Sequence, residues 1–210
     1  MKGFFVTLEG PDGCGKTCQI PALAEYLRSK GWNVLTTREP GGTEISEQIR
    51  QVIMSMSNKG MHPRTEILLF QSSRAQLVEQ VIRPALAEGK VVICDRYADS
   101  TMAYQGYGHR TDLKFLCQLL DFTTGSLHPN LTILLDLDVE VGLRRRLKGG
   151  GEWNRLDDYD LEFHRRVREG YHELVKQEPN RWVTLDADQP KEQIQTALRE
   201  LLVRRLPAIS

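Results

Sequence analysis

Cysteine is scarce in this chain. There are four among 210 residues, Cys14, Cys18, Cys94 and Cys117, and no two of them form a C-x-x-C pair. This argues against a disulfide-stapled fold or a zinc ribbon, and the four are expected to be reduced thiols in a cytoplasmic protein. Charge of one sign is missing too, because 28 Lys and Arg balance 28 Asp and Glu. A generic nucleic-acid binder is usually basic, so no nucleic-acid partner is expected. No apolar run approaches the ~20 residues that cross a bilayer, so no membrane partner is expected either. The first residues read as a strand rather than as a signal peptide. Repeats, low-complexity tracts and linkers are absent, and the hydrophobic fraction of 40% is enough for one core. Residues 1–210 are therefore expected to form a single domain.

What the chain does have is Gly10-Pro11-Asp12-Gly13-Cys14-Gly15-Lys16-Thr17, which fits G-x-x-x-x-G-K-[ST] without a mismatch. The apolar run Phe4–Leu8 precedes it, and a helix-like segment follows to about Gly31. Strand, Gly-rich turn and helix are the context in which this pattern is a phosphate loop. Its backbone N–H groups converge on phosphate oxygens, and the helix N-terminus adds partial positive charge. Lys16 would reach the β- and γ-phosphates of a triphosphate, and the Thr17 hydroxyl would hold Mg²⁺.

Five strands are predicted, at Phe4–Leu8, Asn33–Thr37, Val91–Asp95, Leu131–Leu137 and Trp182–Leu185, with helices between them. The third and fourth are nearly continuous apolar runs, as strands covered on both faces should be. This predicts an α/β fold: a P-loop NTPase-like, doubly wound, five-stranded parallel sheet flanked by helices. Ligands of such sheets bind beyond the carboxyl ends of the strands.

Several residues stand out against this frame. Arg74 falls within an apolar stripe of Ile67, Phe70, Val78, Val81 and Ile82 on a helix expected from about Thr65 to Leu86. A buried Arg needs acceptors, and either a structural ion pair or a polar ligand beside Phe70 would supply them. The third strand ends in Asp95-Arg96-Tyr97, where the carboxylate would help to hold Mg²⁺. Ser100, Thr101, Tyr104 and Gln105 follow on a short helix that Gly106 and Gly108 are expected to break. Basic residues flank Gly149-Gly150-Gly151, which predicts a small mobile lid over about 144–157.

Taken together, these motifs resemble the thymidylate kinase family of bacterial type. The resemblance covers almost the whole chain and rests on Glu9–Thr17, Thr37-Arg38-Glu39-Pro40-Gly41-Gly42-Thr43, Leu69-Phe70 with Arg74, Asp95-Arg96-Tyr97 and Ala103-Tyr104-Gln105-Gly106. It implies transfer of the γ-phosphate of ATP to thymidine monophosphate with Mg²⁺, in a homodimer. It also implies roles for matching positions. Asp12 would meet the sugar 3′-hydroxyl, and Arg50 and Arg96 would grip the acceptor phosphate. Phe70 would stack on thymine and Arg74 would meet its O4. Thr101 and Gln105 would face the base edge, Tyr104 would pack near the deoxyribose, and Glu39 with Pro40 would shape the acceptor site. The loop carries no basic residue at its variable positions, so extra charge on the moving phosphoryl group is expected from the lid. Arg155 is the first candidate there, and Arg146 the second.

Another nucleoside monophosphate or deoxynucleoside kinase is the nearest alternative. A GTP-dependent switch would need an N-K-x-D element, and Asn58-Lys59-Gly60-Met61 lacks the Asp. A nucleotide-binding scaffold would leave the lid and acceptor-site residues without purpose.

Overall fold

β1 (Phe4–Glu9) is the middle strand of a five-stranded, all-parallel sheet of order β2-β3-β1-β4-β5. The computed structural model describes residues 3–149 and 153–207. The other strands are β2 (Val34–Arg38), β3 (Val91–Asp95), β4 (Leu131–Asp136) and β5 (Trp182–Asp186). All five lie where the apolar runs predict them, to within a residue or two. The three inner strands are almost wholly buried. Two apolar layers explain this. Leu23, Leu27, Leu198 and Leu202 cover one face, while Leu77, Val78 and Ile82 pack with Phe5, Val92 and Cys94 on the other.

The helices are α1 (Lys16–Ser29), α2 (Glu44–Met54), α3 (Pro63–Leu77), α4 (Arg83–Ala87), α5 (Ala98–Thr101), α6 (Leu113–Thr124), α7 (Val139–Lys148), α8 (Leu161–Gln177) and α9 (Lys191–Arg205). A π-helical turn over Val78–Ile82 joins α3 to α4, so the single helix expected over about 65–86 is continuous but underwound there. A second π-helical run, Met102–Gly108, continues α5. Gly106 and Gly108 therefore do not break this helix. They serve close packing: a Cβ on Gly106 would lie 2.6 Å from Leu113 Cδ2, and one on Gly108 2.6 Å from the Phe163 ring. Gly170 of α8 has the same role against Tyr107. Wide π turns brought close to α8 push the residues of 100–105 toward the carboxyl ends of β1 and β3.

The carboxyl ends of β1, β2, β3 and β4 carry Glu9, Arg38, Asp95 and Asp136 respectively. The chain leaves β1 with its later neighbours on both sides, the point in such sheets where a crevice opens. Of the expected lid, Gly150, Gly151 and Glu152 lie outside the described residues. The rest consists of the end of α7 and a turn over 155–158.

Candidate functional site

The phosphate loop curls because Gly10, Gly13 and Gly15 have φ of 142°, 78° and 98°, values that L side chains rarely adopt. Lys16 is 6% exposed, and its Nζ donates to Gly10 O (3.0 Å), Pro11 O (3.2 Å) and Cys14 Sγ (3.2 Å). The ammonium is thus held inside the loop that its backbone frames. The loop also rests on α7. A Cβ on Gly13 would lie 2.0 Å from Gly142 O, and one on Gly142 2.3 Å from Asp12 O.

Thr17 Oγ1 donates to Asp95 Oδ2 at 3.1 Å, across the gap between α1 and the end of β3. A hydroxyl and a carboxylate form a hard oxygen donor set. That suits Mg²⁺, which takes one or two protein oxygens and fills its octahedron with phosphate and water.

Arg96 has φ of 67°, in the left-handed region, which a non-glycine residue holds only when its surroundings insist. They do so here. Its backbone N–H donates to Leu8 O (3.0 Å), Nη1 reaches Gly10 O (3.0 Å) and Tyr171 OH (3.1 Å), and Nη2 reaches Asp12 Oδ1 (2.7 Å) and Tyr104 OH (3.0 Å). Tyr104 donates its own proton to Asp12 Oδ2 at 2.7 Å. Burial works to raise the Asp12 pKa, but the charges of Arg96 and Lys16 and the Tyr104 hydrogen bond outweigh it and hold the carboxyl at about 2. Behind this cluster, Glu9 accepts from Tyr97 N (2.8 Å), Ser100 Oγ (2.6 Å) and Tyr171 OH (2.9 Å).

Farther along the cleft, Arg74 is 1% exposed and each of its three guanidinium nitrogens is engaged within the protein. Nε and Nη2 face Glu39 Oε2 (2.8 and 2.6 Å). Nη2 also donates to Tyr97 O (3.0 Å), and Nη1 donates to Gln71 Oε1 (3.0 Å) and Thr101 Oγ1 (2.9 Å). The two readings of Arg74 left open by the sequence therefore coincide: it is a buried ion pair, and it lies in the wall of the cleft. Arg50 Nη1 is similarly anchored on Pro40 O at 2.8 Å.

One cleft of about 590 Å³ is lined by Asp12, Gly13, Gly15, Lys16 and Thr17, by Glu39, Pro40 and Arg50, by Phe70 and Arg74, by Asp95 and Arg96, by Thr101, Tyr104 and Gln105, and by Arg146. Residues from six separate stretches of sequence are thereby brought to one place. Arg155 is not among them. It is 3% exposed and points away, with Nε donating to Ile53 O (2.8 Å), Nη1 to Tyr159 OH (2.9 Å) and Nη2 lying 2.6 Å from Glu66 Oε2. It anchors the end of the lid range to Ile53, Glu66 and Tyr159. Arg145 and Arg146 are the basic residues of the lid range in the lining; Arg145 is held by Ala187 O (2.8 Å) and Asp188 Oδ1 (2.7 Å), and Arg146 is steered by Asp157 through Nε (3.1 Å) and Nη2 (3.1 Å). Lys148, also basic, is exposed and outside the lining.

Sequence reasoning missed four contributors. Glu66 and Tyr171 fall within ordinary helical patterns, and only their partners mark them. Gly142 has no local signal, since its need for a missing Cβ comes from a loop 129 residues away. Glu9 could have been found, because a carboxylate ending an apolar central strand must find donors.

A lysine-bearing loop after the central strand of a 2-3-1-4-5 parallel sheet, facing an acid on the adjacent strand, places the chain among the P-loop nucleotide-binding proteins. Within that class, the model of the thymidylate kinase family matches residues 8–198. The thymidylate kinase of an Exiguobacterium species is 47% identical, over 98% of this chain and 97% of that protein. That of Deinococcus radiodurans is 47% identical, over 94% and 95%. The solved structure of the Ehrlichia chaffeensis thymidylate kinase superposes with a TM-score of 0.76 at 33% identity, covering 97% of this chain and 98% of that one. The chain belongs to the thymidylate kinase family, ATP-dependent phosphotransferases that act on a nucleoside monophosphate.

Proposed function

We propose that this cleft is where the chain carries out the reaction of its family, transfer of the γ-phosphate of ATP to thymidine monophosphate to give the diphosphate. The observation that carries the assignment is the shared cleft itself: the phosphate loop and the Phe70, Thr101 and Gln105 wall line one continuous space. Phosphoryl transfer needs in-line positioning and positive charge more than covalent help. Lys16, with the N–H groups of Gly13, Cys14, Gly15 and Thr17, would hold the donor phosphates. Thr17 and Asp95 would hold Mg²⁺, which when bound neutralises charge on the donor phosphates. Arg96 and Arg50 would hold the acceptor phosphate, Arg96 being fixed in place by Asp12 and Gly10. Asp12 would take the 3′-hydroxyl, and Tyr104 would pack against the sugar. Phe70 would stack on the base, Arg74 would meet its O4, and Thr101 and Gln105 would face its edge, with Glu39 and Pro40 shaping the acceptor site. Arg146 would bring positive charge from the lid, with residues 144–157 moving over the cleft. The chain works as a single domain in this reading.

The apolar residues left exposed on α2, α3 and α6 support a homodimer. Val52, Leu68, Phe115 and Phe122 are 45%, 57%, 50% and 83% exposed, on helices that lie side by side. No helix of the described residues is long and apolar enough to cross a membrane, and the reduced cysteines fit a cytoplasmic setting. A crystal structure with thymidine monophosphate and a non-hydrolysable ATP analogue tests the residue roles. The base should lie on Phe70 with the acceptor phosphate between Arg50 and Arg96, and a base bound elsewhere contradicts them.

A further inference from the structure

Two polar groups in the Phe70 wall have their hydrogen-bonding polarity fixed from behind. The first is Gln105, 2% exposed, whose Nε2 donates to Glu66 Oε1 at 2.8 Å. Glu66 is fully buried, and its other neighbours are donors as well: Tyr159 OH at 2.8 Å, His109 Nε2 at 3.1 Å and the Arg155 guanidinium at 2.6 Å. An ionised carboxylate only accepts, so the amide of Gln105 must keep its nitrogen on Glu66. No described group donates to Gln105 Oε1, which is therefore its open end.

The second group is Thr101. Its Oγ1 accepts from Arg74 Nη1 (2.9 Å) and from Gln71 Nε2 (3.2 Å), which uses both lone pairs of the hydroxyl. Gln71 cannot turn over, because its Oε1 is itself claimed by Arg74 Nη1 (3.0 Å) and Thr123 Oγ1 (2.8 Å). The Thr101 O–H is left with no acceptor among the described residues. The wall thus offers one acceptor, Gln105 Oε1, and one donor, Thr101 O–H.

A thymine or uracil edge carries the matching pair, an N3–H donor and an O4 acceptor. Cytosine carries the reverse, an N3 acceptor and an N4 amino donor. We propose that Glu66 is a positioning residue for base selection. By holding Gln105 Nε2 it aims Gln105 Oε1 at the imino N3–H of a pyrimidine. The proposal rests on the base lying along this wall and adds a residue that selects the base without touching it. A site with fixed buried polar groups rejects a base of the wrong polarity because those groups are left unpaired.

Glu66→Gln keeps the size of the side chain but can present nitrogen or oxygen, which frees Gln105 to turn. The ratio of kcat/KM for thymidine monophosphate over deoxycytidine monophosphate should fall by about tenfold or more, with KM for ATP within about twofold. In a Gln105→Met background, adding Glu66→Gln should change that ratio by less than about twofold, because the route through Gln105 is gone. A purely structural role would weaken both monophosphates alike, so an unchanged ratio in Glu66→Gln overturns the proposal. Glu66 also holds Arg155, so the test does not depend on this variant folding. In a structure of the unaltered enzyme with thymidine monophosphate, Gln105 Oε1 should lie about 3 Å from N3 with Nε2 still on Glu66. N3 beyond hydrogen-bonding reach of Gln105 overturns it. If the unaltered enzyme turned over no thymidine monophosphate, the functional reading itself would fail, an outcome distinct from either of these.

Discussion

Arg155 Nη2 lies 2.6 Å from Glu66 Oε2, with the two side chains 3% and 0% exposed. Arg155, near the end of the lid range, is therefore part of the protein's interior, while Arg146 stands at the cleft. The two should separate cleanly on mutation. Removing one partner of a buried pair costs about 3–5 kcal/mol, so Arg155→Ala should lower stability in a urea titration by that order. Arg146→Ala should leave the midpoint within experimental scatter and lower kcat by about 10²-fold or more, a smaller loss than for arginine fingers supplied by a partner protein. The reverse pattern would return the catalytic assignment to Arg155.

Asp12 and Arg96 are joined at 2.7 Å, with Tyr104 bridging them. Asp12→Asn keeps the shape but removes the charge that fixes Arg96. Both kcat and the KM for thymidine monophosphate should worsen, with kcat/KM down by about 10²-fold, on the scale of a lost charge-assisted contact. KM for ATP should stay near its original value. An equal rise in both KM values would place Asp12 in the phosphate loop's framework instead.

Lys16 is held by three acceptors of its own loop, so its loss removes a preorganised charge. Lys16→Ala should reduce kcat by about 10³-fold with the circular dichroism spectrum and melting temperature essentially retained. Near-normal turnover would overturn the phosphate-loop chemistry.

The fold and most of the site were legible in the sequence for physical reasons. Inner parallel strands are apolar throughout, so Val91–Ile93 and Leu131–Leu135 declare themselves, and a phosphate loop needs glycines at fixed spacing. Arg74 was visible as a charge on an apolar stripe. What covers a charge is a different matter. Whether Arg74 meets Glu39 or a ligand depends on a partner 35 residues away, and the sequence left both open. Arg155 and Arg146 could not be told apart in the sequence because basic residues near a triple Gly look alike in one dimension. Only the buried acceptors Glu66 and Ile53 O tell Arg155 apart from Arg146. The glycines at 106 and 108 misled in the same way, since they relieve contacts with Leu113 and Phe163 rather than end a helix.

Stability should depend on pH with two opposing contributions. Burial works to raise the Glu66 pKa, but the hydrogen bonds from His109 and Gln105 and the Arg155 charge outweigh it and hold it at about 2, against an ordinary 4.5. A carboxyl with a depressed folded pKa lends stability that is present above its unfolded value and lost as pH falls through the folded one. For Glu66 that loss is complete only below about pH 2 and is on the order of 3 kcal/mol. Glu9 has the opposite sign. Burial and then the Asp99 charge raise it to about 7, so its ionisation costs stability as pH rises from 4.5 to 7. Urea midpoints of the Glu66→Gln variant should therefore vary less between pH 5 and 3 than those of the unaltered protein. Parallel pH profiles would contradict the ion-pair assignment of Glu66.

The most direct measurement is ADP release from ATP and Mg²⁺ with a panel of thymidine, deoxyuridine, deoxycytidine, adenosine and guanosine monophosphates, alongside thymidine itself. Turnover centred on thymidine monophosphate, with little on deoxycytidine monophosphate and none on thymidine, is the result this account predicts. Preference for a purine monophosphate or for the unphosphorylated nucleoside would contradict it.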